Sequence, residues 1–315
     1  MIFDAHGDIL TDMYQESLKK RTYDSFKQRH LEKYIKGDIK ISIFVNYTDP
    51  YKQDKLVFNE IFAVGFKEIE LNQDIFGLVL EYKDIERFNK EGKIAVIIGV
   101  EGIKYLSSKD ELIKLYKQGL RHLSLTWNEA NDYGCGILGG DSGLSDKGKE
   151  ILDIAKDLGM IIDLAHANES TFFDVINYVK QPIIVSHANI RNICFHPRNL
   201  TDEQLLAIKA TNGVIGLTNV ANFIAKERED HTVKNLAKHI DYAIKLLGVD
   251  HVGLGFDICY YLGERFNNTL VKDFEDISKT KNLIKELKSL GYNEEDLDKI
   301  KYKNFLRVVK EVLNR

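Results

Sequence analysis

Eight near-continuously apolar runs of strand length recur along the chain, at residues 2–6, 39–47, 94–101, 120–127, 160–166, 182–187, 213–220 and 251–257. Strands buried on both faces read this way, whereas a strand with one wet face alternates apolar and polar side chains, so a covered parallel sheet is predicted. Segments of helix length separate the runs. Several open on a residue whose side chain can accept from free N–H groups: Ser108 before 109–118, Ser145 before 146–158, Asn168 before 169–179 and Thr201 before 202–210. Thr201 also has Gln204 three residues on, a reciprocal capping pair. Gly119, Gly159, Gly213 and Gly248 fall where helices should stop. Eight strands alternating with helices predict an α/β fold of the (β/α)8 TIM-barrel type. The rival, an open doubly wound sheet for a dinucleotide, lacks its GxGxxG turn after the first strand.

A chain of 315 residues can be one such barrel, and with three prolines and no low-complexity tract no linker divides it, so residues 1–315 are read as a single domain. Residues 51–92 read as an insertion carrying one long helix and then a short strand at 78–80. After the eighth run, a loop over 257–273 containing Tyr260, Tyr261 and Phe266 leads into C-terminal helices. The net charge of −4, with lysines interspersed among acids, speaks against a nucleic-acid surface. Three cysteines, none in a CxxC pair, indicate no disulfide framework and a reducing compartment. Met1 leads straight into a strand, and no apolar run is long enough to span a bilayer, so a soluble, cytoplasmic protein is expected.

The strand ends carry the chemistry. The first run closes on His6 and Asp8, one residue apart, which period-two alternation would place on one face. Four later runs end on Glu101, His166, His187 and Asp257. In a barrel, the C-terminal ends of the strands converge at one mouth, so these six side chains should meet. Any one of them alone could equally bind a backbone carbonyl or cap a turn. Together they are three imidazoles and three carboxylates without a thiolate, a set that suits zinc in a hydrolytic site. Six donors are too many for one tetrahedral ion with an open position. Two ions sharing a bridging carboxylate would use them all and activate a water between them.

In order and combination, His6-Gly7-Asp8, Gly99-Val100-Glu101-Gly102, Ile162-Asp163-Leu164-Ala165-His166, Val185-Ser186-His187 and Gly253-Leu254-Gly255-Phe256-Asp257 resemble the signatures of the renal, or membrane, dipeptidase family of zinc peptidases. The resemblance runs from residue 2 to 308 and takes in the closing Asn304-Phe305-Leu306-Arg307-Val308. It implies a metal-dependent hydrolase barrel related to the amidohydrolases, two zinc ions per chain, and hydrolysis of free dipeptides, often with a D-residue tolerated at the C-terminal position. Members are often homodimers. By the same resemblance His6 and Asp8 bind one zinc, Glu101 bridges, and His166 and His187 bind the other. Asp257 matches the acid that handles the proton. Arg198, in Phe195-His196-Pro197-Arg198-Asn199, matches the arginine that grips the substrate carboxylate, a task suited to a planar guanidinium fork.

One position departs from the family pattern. Leu123-Ser124-Leu125-Thr126-Trp127-Asn128 carries Trp127 where better-known members resemble Leu-Thr-Leu-Thr-His, and that histidine is held to stabilise the substrate carbonyl. An indole offers one neutral donor and more bulk, so either the zinc alone polarises the carbonyl, or Asn128 or the Trp127 N–H helps, or the substrate is not an ordinary dipeptide. His122 lies toward the other end of the strand and is no substitute. Another amide, ester or lactone hydrolase on the same centre, or a non-catalytic binding barrel, are the alternatives. Gly140-Asp141-Ser142-Gly143 and Cys194-Phe195-His196 look like nucleophile motifs but read as a turn and as adjacent residues without triad geometry. His30, His231, His239 and His251 read as surface or structural residues.

Overall fold

Nine parallel strands form one sheet in the computed structural model, which describes residues 1–263 and 270–314. They are β1 (Ile2–Gly7), β2 (Ile39–Tyr47), β3 (Phe76–Leu78), β4 (Ile94–Glu101), β5 (Leu120–Ser124), β6 (Ile161–Asp163), β7 (Ile184–Ala188), β8 (Val214–Leu217) and β9 (Val252–Leu254). Eight of them follow the order β1-β2-β4-β5-β6-β7-β8-β9, a nearly closed barrel with helices outside, while β3 pairs with the start of β4. At the seam between β9 and β1 a side chain makes the join. The buried Asp4 carboxylate accepts from the Phe256 N–H at 2.9 Å, and the Asp257 N–H reaches His6 O at 3.4 Å.

The predicted caps on the outer helices are present. Ser108, Ser145, Asn168 and Thr201 each accept from a backbone N–H three residues on, and Gln204 returns the bond to Thr201. The 51–92 segment differs from expectation. It holds a helix at Lys55–Leu71, places its strand at Phe76–Leu78 rather than 78–80, and adds a second helix at Tyr82–Lys90. That helix has no Ser, Thr, Asp or Asn at its cap. Asp84 instead turns back to accept from the N–H groups of Leu80 and Glu81. The segment sits there because β4 starts before β5 does: β3 takes the edge of β4 at Ile94–Val96 in register, and β5 takes it from Ile98 onward.

Inward side chains such as Phe3, Ala5, Ile43, Val45, Ile97, Ile184 and Val214 fill the barrel. Helix Asn304–Leu313 closes its N-terminal end, with the Phe305 ring 5.3 Å from Phe3. Gly253 is required there, since a Cβ would meet the Phe305 ring at 2.4 Å. Asn304 Nδ2 donates to the carbonyls of Val249 and Val252 and pins the plug to β9. That end is stoppered, and the C-terminal ends of the strands meet at the opposite mouth, where a site can form. No helix among the described residues is long and apolar enough to cross a membrane.

Candidate metal centre

Each sequence-predicted ligand reaches the mouth, several by a route that alternation alone does not provide. Along β1 the register slips between Asp4 and Gly7, three steps facing the two from Ser42 to Phe44 on β2. This bulge lets His6 face the mouth although Phe3 and Ala5 already point inward. Asp8 lies beyond the strand as the N-cap of helix Ile9–Lys20, and its side chain makes no capping bond there. His6 and Asp8 therefore meet, Nε2 to Oδ1 at 3.9 Å, by bulge and cap rather than by period two. Glu101 does end β4, and Gly102 (φ +77°) follows because a Cβ would lie 2.9 Å from the Trp127 nitrogen. His187 lies within β7. His166 and Asp257, expected at strand ends, instead stand three residues past β6 and β9. Both hold left-handed backbone, φ 69° and 52°, a strain of roughly 1–3 kcal/mol each that concentrates at functional sites.

Around Glu101 Oε1 stand His166 Nε2 at 2.9 Å, His6 Nε2 at 3.5 Å and His187 Nε2 at 3.5 Å. His166 and His187 Nε2 are 2.9 Å apart, and Asp257 Oδ1 lies 3.9 Å from His6. Two overlapping groups can each enclose an ion: His6, Glu101 and His187, and His6, Asp8 and Asp257. Donors sharing a tetrahedral ion at about 2.0–2.1 Å would sit about 3.3 Å apart, and the separations here bracket that value, from 2.9 to 3.9 Å.

Charge balance also fits cations. Burial, then the charges of Asp8 and Asp257, pushes Glu101 well above the usual carboxylate range, with Arg198 opposing. Burial lifts Asp257 to about 7 against the pull of Arg198. Burial lowers His6 to about 3 and holds His166 and His187 well below their ordinary value, so all three imidazoles are neutral, as ligands must be. Neither ring nitrogen of His6 has a hydrogen-bond partner. An orphaned buried imidazole among crowded carboxylates is costly without added positive charge, and divalent ions would supply it.

Beside this centre opens a cavity of about 340 Å³, lined by Asp8, Glu101, His166 and Asp257 and by Tyr47, Trp127, Asn128, Ile137, Leu138, His196, Pro197, Arg198, Val220, Phe223 and Cys259. Arg198 is 7% exposed, its Nη2 is 3.4 Å from His187 O, its Nε has no partner, and its guanidinium lies 5.6 Å from the Phe223 ring centroid. Trp127 lies past β5, which ends at Ser124 rather than 127. Asn128 Oδ1 meets His166 Nδ1 at 2.8 Å, so it orients a candidate ligand as well as lining the cavity.

Supporting residues escaped the sequence reading. Ser186 Oγ bonds His187 Nδ1 at 2.8 Å. Asp163 accepts from Ala165 N and Ser186 N through Oδ1 and meets His122 Nε2 through Oδ2, tying β5, β6 and β7 together beneath the ligands. Ser186 and Asp163 stand inside the quoted motifs, but nothing in the spacing separates a residue that holds a ligand from one that packs. Asp141 and Ser142 lie in a loop whose carbonyls at Gly140 and Ser142 accept from Asn168, and the three cysteines are free and buried. Tyr260 contacts Lys33 and meets the Tyr261 ring edge-on away from the main cavity, and Phe266 falls outside the described residues.

The sequence model for membrane dipeptidase (peptidase family M19) matches residues 1–315. An uncharacterised protein from the pqqA 5′ region of Klebsiella pneumoniae is 34% identical over 247 residues, 75% of this chain and 88% of that protein. Dipeptidase tcpJ of Claviceps purpurea is 28% identical over 78% of this chain, and an uncharacterised dipeptidase of Schizosaccharomyces pombe 33% over 72%. The matches span 57% and 55% of those two fungal proteins, little more than half their length. In structure, a metallo peptidase from Rhodobacter sphaeroides, liganded with a phosphinate mimic of the dipeptide L-Ala-D-Ala, superposes with a TM-score of 0.88 over 99% of both chains at 21% identity. The same barrel therefore underlies both. From the match over its whole length and from the Klebsiella relative, this chain belongs to the membrane dipeptidase family, peptidase family M19.

Proposed function

We propose that the chain is a zinc-dependent dipeptidase that hydrolyses free dipeptides and accepts a D-residue at the C-terminal position. The observation that carries the reading is a single cleft holding both an ion-demanding centre and a buried arginine with an unused guanidinium edge. In this reading His6 and Asp8 would hold one ion and His166 and His187 the other, with Glu101 available to both. Bound there, zinc would supply a Lewis acid and a water of lowered pKa.

The chain's own residues do the rest. Arg198 binds the terminal carboxylate through charge-assisted bonds and fixes which end of the substrate faces it. Asp257, partly exposed beside His6, takes the proton of the attacking water at its carboxylate and returns it to the leaving amine. A volume of about 340 Å³ lies at the small end of ligand pockets, roughly 300–1,000 Å³, a size that suits a small peptide. Trp127, which has no imidazole to offer the carbonyl, favours a second reading, another amide, ester or lactone hydrolase on the same centre.

Zinc-loaded and dialysed protein assayed on a panel of L,L and L,D dipeptides tests the proposal. Turnover should need the metal, and Arg198→Ala should raise KM roughly 30-fold or more while sparing metal content. Arg198→Lys should recover little, because an ammonium lacks the fork. Zinc-replete protein that cleaves esters or lactones and no dipeptide would move the assignment to the second reading.

A further inference from the structure

Barrel order divides the cleft into two arcs of different chemistry. Arg198 follows β7, Val220 and Phe223 follow β8, and all three line one side. Tyr47 ends β2 and Trp127 follows β5, so they rise from the facing arc, with Glu101 of β4 between them. On that arc the Trp127 ring lies 5.2 Å from Tyr47, 6.3 Å from Tyr51 and 5.8 Å from His166, centroid to centroid. Ile137 and Leu138 extend the same wall.

The wall is built to stay in place. A Cβ on Gly102 would meet the Trp127 nitrogen at 2.9 Å, and one on Gly136 would meet the Trp127 carbonyl oxygen at 1.8 Å, so two glycines let neighbouring backbone clamp the tryptophan on both sides. Leu138 N–H donates to Asn128 O, and Ile137 N–H to His166 O, which joins the wall to the centre. Tyr47 is buried and lines the cleft, while Tyr51, 66% exposed, stands outside the lining and backs the wall through its ring contact with Trp127. A rigid aromatic surface of this extent beside a polar centre holds apolar bulk, at little entropic cost to itself.

We propose that Tyr47, Tyr51 and Trp127 form the subsite for the side chain of the substrate's first residue, and that they select dipeptides beginning with an aromatic or large aliphatic residue. The inference rests on the dipeptidase reading. With the terminal carboxylate on Arg198 and the scissile bond over Glu101, the first residue reaches the opposite arc. Its ammonium has the carboxylates of Asp8, Glu101 and Asp257 nearby, a stronger claim than the ring faces, and this leaves the wall to the side chain.

Trp127 is the chain's sole tryptophan, so its fluorescence reports the wall directly. Zinc-loaded Asp257→Asn protein is titrated with Phe-Ala, Leu-Ala, Lys-Ala and Ala-Ala, and turnover of the same four is measured for the parent, Trp127→Ala, Trp127→Phe and Tyr51→Ala. Phe-Ala and Leu-Ala should change the emission saturably at lower concentration than Ala-Ala does. In the parent their kcat/KM should exceed that of Ala-Ala by roughly tenfold or more. That ratio should collapse toward one in Trp127→Ala, persist in Trp127→Phe, and fall by a smaller factor in Tyr51→Ala, whose exposed site leaves folding intact. Equal ratios in parent and Trp127→Ala, or a preference for Lys-Ala, overturn the subsite while leaving the dipeptidase standing. No turnover of any dipeptide and no emission change removes both.

Discussion

Asp8 and Asp12 stand one turn apart at the start of helix Ile9–Lys20, both buried, and their surroundings differ in kind. Asp12 receives the Arg29 fork at 2.9 and 3.0 Å and meets His30 Nε2 at 2.7 Å. Glu16, a turn further on, meets Lys19 at 2.8 Å, Arg29 at 3.3 Å and Lys20 at 3.4 Å. That cluster closes its own charge balance and also holds Tyr261 O through Arg29, anchoring the loop beyond Asp257. Asp8 instead faces His6, Glu101 and Asp257, where Arg198 is the cation opposing three carboxylates among the described residues. The chain spends its arginine and lysines on the structural cluster and leaves the mouth short of positive charge. One set of residue types thus builds either a staple or an ion trap, according to whether cations come from the chain or from solution.

The same chemical change at the two places should have opposite signs. In metal-free protein Glu101→Gln relieves crowded carboxylates, so the unfolding midpoint should hold or rise. In zinc-loaded protein it should lose bound metal and cut activity by roughly 1,000-fold, the scale of removing a group aimed at the reacting charge. Asp12→Asn should cost about 2 kcal/mol with or without zinc, less than a fully buried pair because Arg29 is partly exposed. Elemental analysis and denaturant unfolding of both variants check this. Should Asp12→Asn lose metal, or Glu101→Gln destabilise the metal-free fold, the contrast between trap and staple fails.

The barrel was legible because strands buried on both faces leave uninterrupted apolar runs, and the caps at Ser108, Ser145, Asn168 and Thr201 because their partners lie within three residues. The six donors stood out by recurring after such runs. Three things were hidden. The bulge that turns His6 depends on the register of β1 against β2, a relation between segments that neither encodes alone. The left-handed turns at His166 and Asp257 use residues that carry no glycine signal. The helix Tyr82–Lys90 is closed by Asp84 from inside, so the position before it looks unremarkable. His30 reads in sequence as a surface or structural residue, and only the fold brings it and Arg29 to Asp12.

A smaller effect separates an imidazole completed by the chain from those awaiting an ion. His239 has both ring nitrogens engaged: Nδ1 accepts from Ile190 N–H at 3.1 Å and Nε2 donates to Ile224 O at 2.9 Å. Burial lowers it to about 4. Above about pH 6.5 it is neutral folded or unfolded and contributes no pH dependence. As pH falls from 6.5 to 4 the unfolded chain takes up the proton first, so stability drops by about 3 kcal/mol, and no further below that. Zinc should not alter this loss, since His239 is already satisfied. Denaturant unfolding of zinc-loaded parent and His239→Gln between pH 4 and 6.5 gives the measurement, and the variant should show the shallower slope. Parallel slopes would remove His239 from the acid response.

The smallest expected change tests how the trap is held open. With Asn128 Oδ1 accepting from His166 Nδ1–H, the proton is fixed on that nitrogen and the Nε2 lone pair is turned toward Glu101. Asn128→Ala frees the ring to rotate or switch tautomer, so affinity for zinc should fall by about tenfold, the low end for such support because Asn128 is only half buried. Asn128→Asp, with a stronger acceptor, should recover the affinity. The unfolding midpoint of the metal-free protein should barely move, because no other hydrogen bond of the fold runs through that carbonyl oxygen among the described residues. Competition of each variant with a chelator reads the affinities. Unchanged zinc affinity together with a raised KM would place Asn128 on the substrate instead, as its position beside Trp127 had indicated from sequence. The mouth would then owe the orientation of His166 to its strained backbone and to packing against Trp127.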